Sequence, residues 1–122
     1  MSDEFLKVAK QEIQSELDEL ERITVHCNDD ERIFKNSQSI KEHIHKIRGL
    51  APMIGQDEVG EIATTSDYML KYIINKGPLS GSCSAITKMI DDMKKVFHGL
   101  GSYDISNFKK TVREKFPQIP DL

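Results

Sequence analysis

Apolar residues recur at steps of three and four along most of this chain, which is the spacing that lines one face of an α-helix. The first stripe is Phe5, Val8, Ile13, Leu17, Leu20 and Ile23. Comparable stripes run through 33–54, 59–73, 86–97 and 105–116. No segment has the alternation of apolar and polar residues that is typical of strands. The pattern therefore predicts an all-α fold.

Residues that cap or break helices separate these stripes. Asp29 or Asp30 is the expected N-cap of the second helix, because a short carboxylate can accept the free N–H groups of a first turn. Pro52 has no backbone donor, so we expect a kink or an early end of that helix there, with Gly55 as its C-cap. Further breaks that contain glycine fall at 75–78 and 99–101.

Short connections between helices favour antiparallel packing of neighbours. We therefore predict an antiparallel four-helix bundle over about residues 3–98, with a short fifth helix over about 102–116 packed at its side. Pro117 and Pro120 predict an extended tail. A length of 122 residues fits one core, so the whole chain, 1–122, is expected to be a single domain.

Composition excludes several classes of protein. With 38% hydrophobic and 30% charged residues, the chain is too apolar for a disordered protein. Its net charge of −3 lacks the basic excess of nucleic-acid-binding domains, so no nucleic-acid partner is expected. No apolar run approaches the roughly 20 residues that cross a bilayer, and the acidic start is unlike a signal peptide. No membrane partner is therefore expected.

The two cysteines, Cys27 and Cys83, lack a CxxC partner and the spacing of metal ligands. We interpret them as free thiols in a reducing compartment, which favours a cytoplasmic location.

The second helix carries the residues with the clearest chemical potential. His45 lies about 140° from the centre of its apolar stripe, so it is predicted to face solvent, where an imidazole can be a nucleophile near neutral pH. Arg48, one turn later, and Lys41, one turn earlier, are predicted to stabilise phosphate oxygens. Gly49 costs on the order of 1 kcal/mol inside a helix, which the close approach of a partner protein would explain.

The segment 45–55 resembles the histidine phosphotransfer (HPt) family. The residues that carry the resemblance are His45, Arg48, Gly49, Ala51 and Gly55, with Ile47 and Ile54 at the core positions. The chain looks most like the phosphotransfer domain at the start of chemotaxis-type histidine kinases, which also has a fifth helix. Arg48 stands where Lys is commoner in the family.

The resemblance implies a phosphocarrier in two-component signal transduction. His45 would accept a phosphoryl group from a histidine kinase or receiver domain and pass it to a response-regulator aspartate, while Gly49 and Pro52 would lie where the partner docks. Asp67, by register, would orient the His45 ring. Family members usually have Glu there, so with the shorter Asp the contact is either direct or through a water molecule.

The same resemblance, with the absence of an ATP-binding motif, implies a carrier and not an enzyme. No cofactor is expected, because Mg²⁺ for each transfer would belong to the partner proteins. A monomer is expected. Met1 and the proline-containing tail favour a stand-alone protein over a phosphotransfer domain excised from a larger kinase.

One interpretation from a different class remains open beside the carrier. A catalytically silent helical bundle that only binds partners would have the same composition and periodicity. His43 and His45 form an H-x-H pair, but two residues apart on a helix their side chains diverge by about 200°, so no metal site is predicted. His43, near the edge of the apolar stripe, is expected to be structural.

Overall fold

The computed structural model describes residues 2–122, and within them it contains helices and no strand. Its helices are α1 (Asp3–Thr24), α2 (Asp30–Lys35), α3 (Ser37–Leu50), α4 (Asp57–Lys76), α5 (Ser82–Phe97) and α6 (Ile105–Lys115), with one 3₁₀ turn at Pro52–Ile54. The predicted all-α fold is confirmed. No helix of the described part of the chain is long and apolar enough to cross a membrane.

Helices α1, α3, α4 and α5 form the bundle and bury most of the predicted apolar stripes in one core, whereas Val8 of the first stripe is exposed. The largest fully buried side chains include Ile13, Leu17, Leu20, Ile40, Ile44, Ile47, Ile62, Leu70, Ile73 and Ile86. Burial of each such aliphatic side chain contributes about 1.5–3 kcal/mol. The helices therefore owe their stability to this shared interior more than to their intrinsic propensities.

Contacts between α3 and α4 show that these helices run antiparallel. His45 on α3 meets Asp67 on α4, whereas Pro52, later in the chain, lies against Gly60, which is earlier in α4. A Cβ atom added to Gly60 would lie 3.1 Å from Pro52 Cγ. The missing side chain of Gly60 thus lets the end of α3 approach α4 closely.

The predicted second helix is interrupted at Asn36, so the expectation of one continuous helix over the 33–54 stripe was wrong. Asn36 leaves helical geometry, at φ −105° and ψ 6°. Its side-chain amide donates to the Arg32 carbonyl at 2.8 Å, and Ser37 Oγ donates to the Phe34 carbonyl at 2.7 Å. Such short polar side chains compete with the backbone for hydrogen bonds and end α2 after a few residues.

The other end of that stripe follows the prediction. Because Pro52 cannot donate to the helix ladder, α3 ends at Leu50 and a single 3₁₀ turn follows. Gly55 then caps the turn in the left-handed conformation, at φ 77°. This connection folds the chain back so that α4 can run along α3.

The two candidate caps, Asp29 and Asp30, have separate roles. The Asp29 carboxylate accepts the backbone N–H of Arg32 at 2.8 Å and caps α2. Asp30 instead accepts the N–H groups of Gly81 and Cys83, at 3.0 and 2.7 Å, and so caps α5. Asp30 thereby connects the start of α2 to the start of α5.

Cys27 is buried, Cys83 is half-buried, and both are free thiols.

The C-terminal region packs on the bundle instead of extending away from it. Helix α6 lies at the side of the bundle, as predicted, where Lys109 forms an ion pair with Glu61 of α4. The expected extended tail was wrong: residues after α6 form turns, and Phe116 and Ile119 are buried. Burial of these two apolar side chains outweighs the preference of the flanking prolines for extended backbone.

Candidate functional site

His45 lies near the middle of α3 on its solvent face, as the helical spacing predicts. Its side chain is 66% exposed, whereas Ile44 and Ile47 beside it are fully buried. The helix is therefore held by its apolar side and presents the imidazole on the other.

The His45 ring is held from α4 by the Asp67 carboxylate. His45 Nδ1 lies 3.1 Å from Asp67 Oδ2, so the contact is direct and needs no intervening water. Asp67 itself is only 3% exposed. The structure thus joins an exposed ring to a buried anion.

Asp67 also binds the two cations that flank His45 on α3. Arg48 Nη1 donates to Oδ2 at 2.8 Å, and Lys41 Nζ lies 2.8 Å from Oδ1. The Lys41 contact is an ion pair without the alignment of a hydrogen bond, since no donor of residues 2–122 is aligned with Oδ1. One carboxylate therefore connects three side chains of α3, each within one turn of the next.

These donors keep Asp67 ionised. Burial by itself would raise the pKa of this carboxyl group, but the contacts from Lys41, His45 and Arg48 together outweigh burial and place its pKa below the ordinary value. The Asp67 hydrogen bond likewise raises the pKa of Arg48. The centre of the site is thus a fixed negative charge among cations.

The charge state of Asp67 determines the tautomer of His45. An ionised carboxylate can only accept hydrogen bonds, so we assign the ring proton to Nδ1. Nε2 then keeps its lone pair, and it has no hydrogen-bond partner within residues 2–122. The arrangement leaves one nucleophilic nitrogen on the exposed side of the ring.

Tyr68, which no pattern in the sequence indicated as a site residue, contacts the other side of Arg48. The Arg48 guanidinium carbon lies 5.2 Å from the centroid of the Tyr68 ring, within the range of a cation–π interaction. Asp67 and Tyr68 are adjacent on α4. The hydrogen bond to Asp67 sets the direction of the Arg48 guanidinium group, and the Tyr68 ring restricts its plane. Their adjacency was visible in the sequence, but the contact with Arg48 was not.

These side chains line an open cleft of about 760 Å³ between α3 and α4. Its charged residues are Lys41, Glu42, Lys46, Arg48, Asp67 and Lys71. Four of the six are cationic, so the cleft suits an anionic group placed beside His45.

This chain matches no protein-family model, no curated protein and no solved structure.

Beyond His45, Gly49, Pro52 and Met53 form the exposed surface at the end of α3 and in the 3₁₀ turn that follows. Apart from its chain neighbours and the backbone of its own helix, no heavy atom of residues 2–122 lies within 4 Å of the point where a Cβ on Gly49 would stand. Pro52 is exposed apart from its contact with Gly60, and the neighbouring Met53 side chain is 52% exposed. We call Gly49, Pro52 and Met53 the bare face; it begins one turn from His45.

His43 points away from the cleft, towards α1. Its Nδ1 lies 2.5 Å from Oε2 of Glu16, a buried carboxylate, and the side chain is 20% exposed. Lys46 Nζ lies 3.6 Å from the other oxygen of Glu16. Since His43 and His45 turn to carboxylates on different helices, one metal ion cannot bind both rings here. Within residues 2–122 no group of three or more His, Cys, Asp or Glu side chains is placed to hold a metal.

Replacing Asp67 with Asn is expected to change how stability depends on pH. The pKa of Asp67 in the folded protein lies below its ordinary value of 3.8, so the ionised carboxylate stabilises the fold above that pH. This stabilisation is lost as the pH falls through the folded-state pKa. We expect Asp67→Asn to lower the free energy of unfolding by about 1–2 kcal/mol near neutral pH, and by less at about pH 3.

Urea unfolding of both proteins at the two pH values measures the difference. Asp91→Asn is the control, because Asp91 is an exposed carboxylate on α5 that pairs with Lys95 on the same helix. It should change stability by at most about 0.5 kcal/mol. A stability difference for Asp67→Asn that stays constant between the two pH values would contradict the assignment of an ionised Asp67 in the fold.

Proposed function

We propose that this chain is a phosphocarrier of a two-component phosphorelay, in which His45 Nε2 accepts a phosphoryl group and passes it to a response-regulator aspartate. One observation carries the proposal: an exposed imidazole donates through Nδ1 to a buried, ionised carboxylate, 3.1 Å away. That arrangement exposes a nucleophile and supports the positive charge that the ring gains on reaction.

The transfer step involves only the His45 ring and the phosphoryl donor, and each bond that forms is matched by one that breaks. The Nε2 lone pair forms the N–P bond while the bond from phosphorus to the donor oxygen breaks, and the donor leaves with that electron pair. The ring becomes an imidazolium because Nδ1 keeps its proton, and Asp67 stabilises this cation. In the onward step a receiver carboxylate attacks phosphorus, and Nε2 recovers its lone pair.

Arg48 and Lys41 would stabilise the phosphoryl oxygens, and Asp67 holds both side chains beside His45. Arg48 uses Nη1 for Asp67, which leaves its other N–H donors for an anion in the cleft. Lys41 is 27% exposed and adds positive charge on the opposite side of His45. Negative charge that develops on the phosphoryl group would therefore meet donors already in place.

The bare face would receive the partner. A receiver aspartate has to reach Nε2, and the bulk of its domain needs room beside α3. Gly49 and Pro52 provide that room, and the exposed side chain of Met53 offers apolar contact. Under this proposal a histidine kinase and a receiver are the partners, Mg²⁺ comes with them, and the chain acts as a cytoplasmic monomeric carrier without a kinase activity of its own.

Chemical phosphorylation tests the proposal without a known partner. The protein is incubated with phosphoramidate, which can transfer its phosphoryl group to an imidazole as ammonia leaves. We expect one phosphoryl group per chain by intact mass, labile in acid and stable in base as for phosphohistidine, and located on His45 by peptide mapping. A chain that stays unmodified under conditions that label free imidazole would favour the silent interaction module instead.

A further inference from the structure

The cations of the cleft differ in whether a carboxylate already neutralises them. Lys41 and Arg48 both lie 2.8 Å from Asp67, and Lys46 lies 3.6 Å from Glu16. Lys71 lines the same cleft, yet no carboxylate of residues 2–122 lies within 4.0 Å of its ammonium group. Among the residues that the structure describes, Lys71 is thus the cleft cation that forms no ion pair with a carboxylate.

Lys71 lies one helical turn after Asp67, on the same face of α4. The antiparallel register that pairs His45 with Asp67 also places Lys71 opposite Lys41. Two ammonium groups on facing turns repel each other unless an anion lies between them. Asp67 is already shared with Arg48 and His45, so this end of the cleft keeps a surplus of positive charge.

A phosphoryl group on His45 would also meet unfavourable charge. Glu42 lines the cleft, and Asp67 lies directly behind the ring. Arg48 has limited freedom to compensate, since Asp67 and Tyr68 hold its head group. A cation on a flexible stem, without a partner of its own, is free to move to the new anion.

We propose that Lys71 is a further phosphoryl-binding residue, which folds over the oxygens of the phosphoryl group on His45 and donates hydrogen bonds to them. The inference rests on the proposed phosphocarrier function. Arg48 and Lys71 then bind the phosphoryl group in different ways. Arg48 is held in position on the α3 side before phosphorylation, whereas the Lys71 side chain moves onto the phosphoryl oxygens from α4 once the dianion is present. Release of the phosphoryl group to a receiver frees the Lys71 side chain again.

Phosphoramidate labelling of the full chain tests Lys71. We expect Lys71→Gln to be labelled at His45 roughly ten- to a hundredfold more slowly than the unmodified sequence, as for loss of one charge-assisted hydrogen bond. Lys71→Arg should restore most of the rate, because it returns the charge. Lys76→Gln is the matched control: Lys76 is an exposed lysine near the end of α4 that does not line this cleft.

Titration of the phosphorylated protein by ³¹P NMR gives a readout that a purely structural role would not move. A nearby ammonium group favours the dianionic phosphoryl form, so the phosphoryl resonance should titrate at higher pH in Lys71→Gln. Equal rates and equal titration in Lys71→Gln and Lys76→Gln, with His45 labelled in both, would overturn the role of Lys71 and leave the phosphocarrier proposal standing. A slow Lys71→Arg would overturn it too. Absence of labelling in the unmodified sequence would overturn both proposals.

Discussion

His45→Gln is expected to abolish phosphorylation while leaving the fold and its stability nearly unchanged. The His45 side chain is 66% exposed and contributes nothing to the core, so a polar replacement of similar size should alter stability by no more than about 0.5 kcal/mol. Glutamine has no nucleophilic ring nitrogen, so labelling should fall from one phosphoryl group per chain to none. Intact mass after phosphoramidate treatment, together with circular dichroism, measures both quantities.

His43→Gln is the matched control for that experiment. His43 lies two residues away on the same helix and also holds a buried carboxylate through Nδ1, but it faces α1 instead of the cleft. We expect this variant to be labelled at the rate of the unmodified sequence. Full labelling of His45→Gln, or loss of labelling in His43→Gln alone, would move the phosphoacceptor away from His45.

Asp67→Asn is expected to slow phosphorylation of His45 by roughly ten- to a hundredfold, an effect that corresponds to about 1.5–3 kcal/mol for a hydrogen bond to a charged group. The amide cannot stabilise the imidazolium as an anion does. Its NH₂ group can also donate to Nδ1, which would move the ring proton to Nε2 and remove the nucleophilic lone pair. The labelling rate measures the first effect, and ¹⁵N chemical shifts of the His45 ring measure the tautomer.

Asp92→Asn is the control for a buried carboxylate elsewhere in the fold. Asp92 lies on α5 and is bound by Lys88 and Tyr103, remote from the His45 cleft. It should affect stability without changing the labelling rate or the His45 tautomer. If Asp67→Asn shows an unchanged rate and an unchanged ring tautomer, Asp67 has only a structural role in the site.

The helices themselves were accessible from the sequence because their apolar stripes and their breaks are local. Gly77 ends α4, and Gly99 and Gly101 end α5, through their own backbone conformation, which does not depend on the position of the rest of the chain. Asn36 was missed for the opposite reason. The aliphatic stripe continues across it, from Ile33 to Ile40, and nothing in the stripe indicates that the Asn36 amide turns back to a carbonyl of the preceding turn.

The tail was predicted incorrectly for a related reason. Pro117 and Pro120 restrict the backbone locally, but burial of Ile119 against the bundle depends on where α6 is packed. Local preference was outweighed by a tertiary contact that no spacing within the tail reveals.

By itself, the sequence determined that His45 faces solvent with Lys41 and Arg48 one turn to either side, since positions on a single helix follow from its fixed rotation per residue. The resemblance suggested that Asp67 orients His45, but the tertiary structure alone decided that Asp67 is buried and also binds Lys41 and Arg48, and that the Tyr68 ring contacts Arg48. Those contacts join α3 to α4. The register between these two helices depends on how closely Pro52 can approach Gly60 and on the direction that the chain takes after the 3₁₀ turn. A periodic pattern specifies a face of each helix, whereas the pairing of two faces is fixed only when their side chains pack against each other.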